Sequence, residues 1–434
     1  MISGVKKCIA LLLTLLCILT MYLQAVFAAE ETSQHETVKV GFFAMDGYHM
    51  MDEKGNRSGY GYDFLRLMAR YWDVDYEYVG YDKSWEDMQQ MLEDGEIDMI
   101  SIGRAQLADP EWCNKAREGR EDEIRRCIGC TEGCYDKVID PKATHITCTR
   151  NPMLCLEYKG MPKAEKAKNV MVIGGGIGGL RIAEILKKRG HNPTIYEASE
   201  RAGGRFRLAG KAPKKQEFEA AVDWEIKECE RLGIEIKTNT TVTPEMIAEI
   251  KPDHVVVAIG SEFATPDLPG VDGADIVTAE DVLAGKAEAK GEILILGGGL
   301  VGCETATYLI NKGEKNVRIM DSRRVGKAMG MLRSMFLDIE YPGKTIQKSN
   351  RSKVTAIGDH TVDYKFTDKF KKTSNKSRSF DTLVLATGAK SRPTADLTAK
   401  CDELGIAYNV IGDAKKVRMG IDATADAYKV GMEV

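Results

Sequence analysis

The sequence lacks a strong charge of either sign. Its 61 Lys and Arg residues are nearly balanced by 65 Asp and Glu residues, which leaves a formal net charge of -4. A polyanion needs a broad positive field to bind, so nucleic acid is not expected as a partner. The 434 residues, 43% of them hydrophobic, can bury two or three cores of ordinary size, which predicts a multidomain globular protein.

The first thirty residues have the pattern of an export signal. Lys6 and Lys7 precede an apolar run that extends to Phe27, and two alanines follow it. We therefore predict a signal peptide over residues 1–29. An uncleaved membrane anchor and a buried N-terminal helix are the alternatives.

Residues 37–100 alternate between strand-like and helix-like segments. VKVGFF and DYEYVGY predict strands, FLRLMARYW and SWEDMQQMLEDG predict amphipathic helices, and IDMI predicts a closing strand. The stretches GYGYDFLRLMA and LEDGEIDMI resemble the first lobe of bacterial extracellular solute-binding proteins of the amino-acid-binding type. The resemblance covers about half of one lobe and implies a partial α/β lobe.

Four cysteines follow within a short stretch. Cys127, Cys130 and Cys134 are separated by two and then three residues, and Cys148 follows in ITCTRNP. Four thiolates at this spacing can close one site for an iron–sulfur cluster or for a structural zinc. Cys155 is an alternative fourth ligand, and disulfide pairing is the alternative to metal binding in an exported chain.

A glycine-rich turn between KNVMVI and the helical LRIAEILKKRG has the fingerprint of a dinucleotide site. Gly174 permits a tight turn, Gly176 lets the backbone approach a pyrophosphate, and Gly179 packs the helix against the strand. The helix N-terminus offers unpaired N–H groups to the anion. Glu197 ends the next strand and is expected to accept hydrogen bonds from an adenosine ribose. These residues predict a first dinucleotide site.

The same pattern is repeated in GEILILGGGLVGCETATYLINKGEKNVRIMDSRR, with Gly297, Gly299 and Gly302 in the fingerprint positions. Asp321 ends the second strand of this copy. A carboxylate there accepts from a free ribose 2'-hydroxyl and repels a 2'-phosphate, so NADH is favoured. The arginines at positions 323 and 324 leave NADPH as the alternative. Glu304 is interpreted either as a group near the nicotinamide or as an ordinary first-turn helix acid.

From Ile102 to the C-terminus the sequence resembles the old yellow enzyme relatives that carry an iron–sulfur cluster. IGRAQLADPEWCNKAREGREDEIRRCIGCTEGC, CTRNP and the two glycine-rich turns match the NADH:flavin oxidoreductase, 2,4-dienoyl-CoA reductase and trimethylamine dehydrogenase family. The resemblance implies an α/β fold with two Rossmann-like domains, for FAD and for NAD(P), after the C-terminal remnant of a TIM barrel. It also implies that Cys127, Cys130, Cys134 and Cys148 hold a 4Fe–4S cluster.

The resemblance assigns further residues to cofactors. RAGGRFRLA resembles a flavoprotein segment whose second glycine pair lies near the flavin pyrophosphate, and Arg205 in it is expected to bind the cofactor; the turns at Gly260 and Gly388 connect the nucleotide domains. Gly412 and Asp413 would place a carboxylate at the FAD ribityl chain. In the intact relatives the residue that corresponds to Arg104 contacts the phosphate of FMN, but most of the barrel that holds FMN is missing from this sequence.

The predicted domain boundaries follow from these motifs. The signal peptide is expected at 1–29, the partial solute-binding lobe at 37–100, the barrel remnant with the iron–sulfur loop at 101–160, the FAD domain at 169–266 and 380–434, and the NAD(P) domain at 267–379.

No C-x-x-C or C-x-x-x-x-C pair lies beside either glycine-rich turn, so dithiol chemistry is not supported. The cofactors themselves carry hydride and electron chemistry. We therefore predict an enzyme that passes electrons from NAD(P)H through FAD to a 4Fe–4S cluster. A fragment of an exported solute-binding protein and a nonfunctional chimera of two genes are the alternatives.

The expected partners are a small-molecule electron acceptor or substrate and, in a homo-oligomer, further copies of the chain. Membrane contact is expected only through an uncleaved signal. The signal favours export, whereas the oxidoreductase features favour the cytoplasm.

Overall fold

The computed structural model describes residues 36–42, 44, 49–72, 74–98, 103–138, 140, 142–327, 329–330, 333–334 and 346–434. The predicted signal peptide and residues 99–102, at the predicted change of family, lie outside the described residues. The chain divides into two compact units, with the boundary between Ile102 and Gly103.

The first unit contains short strands and two helices among its described residues. They are β1 (Glu36–Gly41), β2 (Met50–Met51), β3 (Arg57–Ser58), α1 (Tyr60–Trp72), β4 (Val74–Val79) and α2 (Trp85–Glu93). β1 pairs in parallel with β4, and β2 forms an antiparallel hairpin with β3. At the predicted closing strand IDMI, Ile97 and Asp98 are not in a strand. Asp98 instead hydrogen-bonds to the backbone of Lys39 through both its N–H and its carboxylate.

The strands of the second unit are β5 (Asn169–Ile173), β6 (Asn192–Tyr196), β7 (Glu235–Lys237), β8 (His254–Val257), β9 (Ser261–Phe263), β10 (Ile276–Thr278), β11 (Glu292–Leu296), β12 (Asn316–Met320), β13 (Ile346–Ser349), β14 (Ser352–Gly358), β15 (Thr361–Thr367), β16 (Thr373–Ser379), β17 (Thr382–Leu385), β18 (Ala389–Ser391) and β19 (Ala407–Val410). Its helices are α3 (Gly103–Ala108), α4 (Trp112–Arg117), α5 (Tyr135–Val138), α6 (Ile177–Lys188), α7 (Gly204–Ala209), α8 (Gln216–Arg231), α9 (Pro244–Ile250), α10 (Ala279–Leu283), α11 (Leu300–Asn311), α12 (Ala395–Leu404) and α13 (Gly420–Glu433).

The first large sheet has five parallel strands in the order β19-β8-β5-β6-β7. Its central strand β5 is buried on both faces, which explains its nearly continuous apolar sequence. Val170 and Val172 pack in one core cluster with residues of α6, whereas Met171 and Ile173 pack in a second cluster on the other face. The sheet therefore has a core on each side.

The second large sheet is also five-stranded and parallel, in the order β10-β17-β11-β12-β13. On one face Ile293 and Ile295 of β11 pack with residues of α11. On the other face Leu294 and Leu296 pack with apolar residues of an antiparallel sheet, β14-β15-β16. This three-stranded sheet takes the place of a covering helix and was not predicted from the sequence.

Two short connections join the parts that carry the large sheets. β9 leaves the first sheet after β8, β18 returns to it after β17, and the two pair as antiparallel strands. The C-terminal helix α13 then packs along α6, where a Cβ on Gly178 would lie 3.4 Å from the carbonyl oxygen of Ala423. Residues after β18 thus complete the first sheet and its helical cover.

The segment before β5 contains only short helices and turns, and no strand lies among its described residues from 103 to 168. In the described part of the chain, no helix combines the length and the apolar character needed to span a membrane.

Two buried histidines lie at the N-terminal ends of strands β6 and β8 of the first sheet. His254 Nε2 lies 2.8 Å from Oδ1 of Asn409, and His191 Nδ1 accepts a 3.2 Å hydrogen bond from the N–H of Lys168. Burial lowers the pKa of both histidines below their ordinary value. The folded chain therefore favours their neutral forms.

We expect the melting temperature to fall as the pH drops from about 7.5 to about 5.5. Because the pKa of His254 is lower in the folded chain, the unfolded chain binds the proton at a higher pH than the folded chain does. The contribution of neutral His254 to the free energy of unfolding is therefore present above about pH 6.5 and is lost as the pH falls through the lowered pKa. Thermal melts of H254Q should show a flatter pH slope. Identical slopes in wild type and H254Q would contradict the assignment.

Candidate cofactor sites

The central strand of each large sheet is followed by a glycine-rich turn, and the two turns have the same backbone geometry. Gly174 follows β5 with φ +107°, and Gly297 follows β11 with φ +116°. A Cβ on Gly174 would lie 2.4 Å from the carbonyl oxygen of Ala258, and one on Gly297 would lie 2.3 Å from that of Ala386. These carbonyls end the neighbouring strands β8 and β17. Both the backbone conformation and the close approach therefore exclude any side chain.

The third glycine of each turn packs the helix against the turn. A Cβ on Gly179 would lie 1.9 Å from the carbonyl oxygen of Gly174, and a Cβ on Gly302 would lie 1.9 Å from that of Gly297. No L side chain fits at such a distance. The starts of α6 and α11 are thus held directly against the ends of β5 and β11.

The middle glycine of each turn faces open space. Gly176 and Gly299 are the residues that precede α6 and α11, and neither helix start is capped by a side chain. A Cβ on either glycine would have no heavy atom within 4 Å. The unpaired N–H groups of both helix starts are therefore free to bind an anion such as a pyrophosphate.

A carboxylate lies beside each turn at the end of the second strand. Glu197 Oε2 accepts a 2.7 Å hydrogen bond from the N–H of Gly175, and Asp321 Oδ2 accepts a 2.8 Å hydrogen bond from that of Gly298. The other oxygen of Glu197 accepts a 2.9 Å hydrogen bond from the N–H of Ser199, two residues further along the chain. The other oxygen of Asp321 likewise accepts a hydrogen bond from the backbone N–H two residues after it. Both carboxylates are thus fixed next to the turn, where a ribose would lie.

The predicted turn residues Gly260 and Gly388 lie at the ends of the two connections. Both have positive φ, +73° and +103°. Ser261 of β9 donates a 3.0 Å hydrogen bond to Oδ2 of Asp413, and Ser391 of β18 donates one of 2.6 Å to the carbonyl oxygen of the same residue. Asp413 is therefore held by both connecting strands.

Gly412 and Arg205 occupy defined positions in the same part of the fold. Gly412 has φ +59° and donates its N–H to Oδ2 of Asp426 at 3.1 Å. Arg205 lies at the start of α7 and forms an ion pair with Glu280 of α10. Arg205 thus connects the part that contains the first sheet with the part that contains the second.

Lys215 and Glu304 form a partly buried pair that the sequence analysis did not identify. Lys215 precedes α8, Glu304 is the fifth residue of α11 and lies beyond its first turn, and Nζ lies 2.7 Å from Oε1. Burial raises the pKa of the Glu304 carboxyl, while Lys215 acts in the opposite direction. The pair is separated by 89 positions in the sequence, so no local pattern could reveal it.

The four clustered cysteines line one pocket, together with Arg104. Gly133 makes the close approach of its two walls possible, because a Cβ there would lie 2.2 Å from the carbonyl oxygen of Thr147. The N–H of Thr147 also donates a 2.6 Å hydrogen bond to the carbonyl oxygen of Gly133. This contact brings Cys134 and Cys148 to the same pocket.

Cys155 is exposed, has φ +67° and does not line the pocket. Each cysteine in the described residues is a free thiol. In the part of the chain that the structure describes, no three His, Cys, Asp or Glu side chains are placed to hold a single metal ion. The four thiols line the pocket together.

The thiols of the pocket share one electrostatic environment. Burial is the main cause that raises the pKa of Cys130 to about 11, with smaller contributions in the same direction from the charges of Glu132 and Cys148. Burial also raises the pKa of Cys148, with additional contributions from Cys127 and Cys134. Metal coordination, which takes the thiolate form, would oppose these effects.

Arg104 lies at the exposed start of α3, which is not preceded by a strand in the described residues. It faces the cysteine pocket. Cys303, beside the second turn, is buried, and burial raises its pKa to about 12. A thiol with such a pKa is not a nucleophile at neutral pH.

Two parallel sheets that each carry such a turn define an α/β enzyme that binds two nucleotides, and comparison with known proteins agrees. Residues 168–414 match the family described as pyridine nucleotide-disulphide oxidoreductase. The chain belongs to this family. Its members are flavin-dependent oxidoreductases, so the predictions of an enzyme, of a flavin and nicotinamide cofactor, and of an α/β fold with parallel sheets are confirmed.

Two relatives are similar to this chain over most of its length. The chain is 33% identical over 371 residues to an NADH oxidase of Thermoanaerobacter brockii, with 82% of this chain and 55% of that protein covered. It is 32% identical over 370 residues to a metal reductase of Desulforamulus reducens, with coverage of 78% and 55%. The chain thus spans about half the length of these relatives.

A solved structure of a 2-naphthoyl-CoA reductase in complex with 2-naphthoyl-CoA superimposes with a TM-score of 0.73 at 25% identity. The superposition covers 86% of this chain and 56% of that one. The fold of most of the chain is therefore that of one part of a larger oxidoreductase.

We expect Gly179→Ala to destabilise the flavin-free chain by about 2 to 3 kcal/mol, because the added Cβ overlaps the carbonyl oxygen of Gly174. Gly176→Ala is the matched control, since its Cβ would enter open space at φ -71°. Urea unfolding of the two variants measures the difference. Equal midpoints would mean that the turn relaxes and is not held as tightly as described.

Proposed function

We propose that residues 103–434 oxidise NADH and pass its electrons through FAD to a 4Fe–4S cluster and then to a one-electron acceptor outside the chain. The observation that carries the proposal is the repetition of one turn geometry on two parallel sheets in the same unit as a pocket of four thiols. Each element suits one of the three cofactors.

The first sheet suits FAD. Its turn has open space at Gly176 and a fixed carboxylate at Glu197, as a dinucleotide requires. The chain returns to this sheet after β18 and adds Asp413, which both connecting strands hold and which can accept a hydrogen bond from a polyol such as the ribityl chain. Arg205, Gly260 and Gly412 lie in the segments before β9 and after β18 that carry the first sheet, and we assign them to the flavin side.

The second sheet, inserted between β9 and β18, suits the nicotinamide nucleotide. Gly299 faces open space at the start of α11, and Asp321 is fixed beside the turn. Because both oxygens of Asp321 accept backbone N–H groups, the side chain is fixed beside the turn, where its negative charge would repel a 2'-phosphate. This supports NADH over NADPH.

The cysteine pocket suits a cluster better than a zinc ion. Four thiolates hold a 4Fe–4S cluster, whose irons occupy a volume, whereas zinc draws its ligands to one centre. Cys127, Cys130, Cys134 and Cys148 line one pocket together, as the four thiolate ligands of such a cluster would. Cys155 lies outside the pocket, which supports Cys148 as the fourth ligand.

When bound, the cofactors supply the electron chemistry: a hydride from NADH brings two electrons to the flavin, these leave one at a time through the cluster, and the proton goes to solvent. The chain binds and orients the nucleotides through its helix starts and carboxylates. No strand of a barrel is found among the described residues 103–168, so we assign no FMN site, and Arg104 is not assigned to an FMN phosphate.

The relatives' names suggest what the acceptor is. One is called an NADH oxidase and another a metal reductase. We infer that oxygen or a ferric complex takes the electrons from this chain too.

We expect the full chain, purified anaerobically, to contain FAD, about four irons with matching sulfide, and no FMN. Cys148→Ser should lower the iron content below that of wild type, because the pocket loses a thiolate. Cys155→Ser is the matched control and should keep all the iron. A zinc-containing protein without sulfide, or equal iron loss in both variants, would contradict the assigned ligands.

Asp321→Asn should lower kcat/KM for NADH by about tenfold, which corresponds to about 1.4 kcal/mol of lost transition-state stabilisation, and should affect NADPH less. Steady-state reduction of ferricyanide with each nucleotide measures the change. Asp381→Asn is the control, since Asp381 also accepts a backbone N–H, from Glu292 at 2.7 Å, but at the opposite end of the strands. If the ratio of kcat/KM for NADH to kcat/KM for NADPH is the same in Asp321→Asn as in wild type, Asp321 does not contact the ribose.

A further inference from the structure

A network of buried charges connects the wall of the cysteine pocket to α6 and α8. We call it the arginine network; its members are Arg125, Arg150, Arg181, Glu184 and Glu225. Arg150 and Arg181 are among the most completely buried large side chains of the described residues. Such groups are rarely buried without a specific reason, because removing a charge from water is costly.

Arg150 is the member that reaches the pocket. It lies two residues after Cys148 and lines the pocket itself. Its Nε donates a 3.3 Å hydrogen bond to the carbonyl oxygen of Arg126, the residue directly before Cys127. One side chain thus fastens the segments that carry the first and the last of the four cysteines.

The same side chain is anchored to α8. Nη1 of Arg150 donates to the carbonyl oxygen of Ala221 at 3.4 Å and forms an ion pair with Glu225. Its guanidinium lies 5.1 Å from the ring centre of Trp224, and that of Arg125 lies 5.0 Å from the same ring. The face of one aromatic ring thus attracts both guanidinium groups.

Glu225 does not cancel the positive charge. Its Oε1 is shared between Arg150 and Arg181. Glu184 is likewise shared, between Arg181 and Arg125, with Lys188 at 2.6 Å as a further cation. Lys188 also pairs with Glu228 at 3.2 Å, so these four cations face three carboxylates, and one of the four, Arg150, belongs to a residue that lines the pocket.

A buried charge acts strongly on a redox centre beside it. An electron added to a cluster with four thiolate ligands increases its negative charge, so a nearby cation in a medium of low dielectric constant favours the reduced form. Net charge and solvent exposure are among the factors that set the reduction potential of such clusters.

We propose that Arg150 is a positioning residue that raises the reduction potential of the cluster in the cysteine pocket, so that reduced flavin can deliver single electrons to it. This inference rests on the proposed function, since it requires a cluster held by the four cysteines. It adds a role for a residue outside the ligand set.

The test is a redox titration of the full chain, followed by electron paramagnetic resonance of the reduced cluster, in wild type and three variants. Arg150→Met removes the charge and leaves Glu225 paired with Arg181. Arg150→Lys keeps the charge. Glu225→Gln removes a negative charge from the network without changing a residue that lines the pocket.

We expect the midpoint potential to shift downward in Arg150→Met, to stay near wild type in Arg150→Lys and to shift upward in Glu225→Gln. A purely structural role would not produce shifts of opposite sign. If Arg150→Met fails to retain its cluster, the sign of the shift in Glu225→Gln decides. Potentials that do not change, or that shift in one direction in both neutralised variants, would overturn the inference. A wild-type chain without iron and sulfide would instead overturn the proposed function.

Discussion

In both parallel sheets of the second unit, a glycine with positive φ lies against the carbonyl oxygen that ends a neighbouring strand. The contact of Gly174 with Ala258, and that of Gly297 with Ala386, fixes where the chain turns from strand to helix. The third glycine then seats the helix on the turn, and the carboxylate of the second strand bonds to the residue after the first glycine. This one close approach positions the start of the helix, the open space at the middle glycine and the carboxylate beside the turn. The candidate cofactor sites depend on it.

The cysteine pocket depends on a similar close approach and on its attachment to the flavin side. Gly133 lies against Thr147 and also against Ile421, in the first turn of α13. The arginine network ties the same segment to α6, whose N-terminus is one of the two nucleotide-binding helix starts. The pocket is therefore built as an extension of the first sheet and its helices, which suits a path of electrons from one to the other.

The glycine turns, their strands and helices, and the carboxylates Glu197 and Asp321 could be predicted from the sequence because each is encoded within about thirty residues. The four cysteines could be grouped for the same reason. The ion pair of Lys215 with Glu304 and the arginine network could not, since their members come from distant segments and charged residues are usually solvated. The sheet β14-β15-β16 was missed because its polar strand β16 is almost wholly exposed and has no apolar alternation.

The paired connections β9 and β18 have an evolutionary consequence. Ala264 donates its N–H to the carbonyl oxygen of Gly388 at 3.1 Å, so the inserted segment between them begins and ends at neighbouring points. A module whose ends meet in this way can be gained, exchanged or lost by recombination while the host sheet keeps its strand order. Under the proposed assignment, the part that would bind the nicotinamide nucleotide is a self-contained insertion in the part that would bind the flavin, so its nucleotide preference could change without altering the strand order of the first sheet.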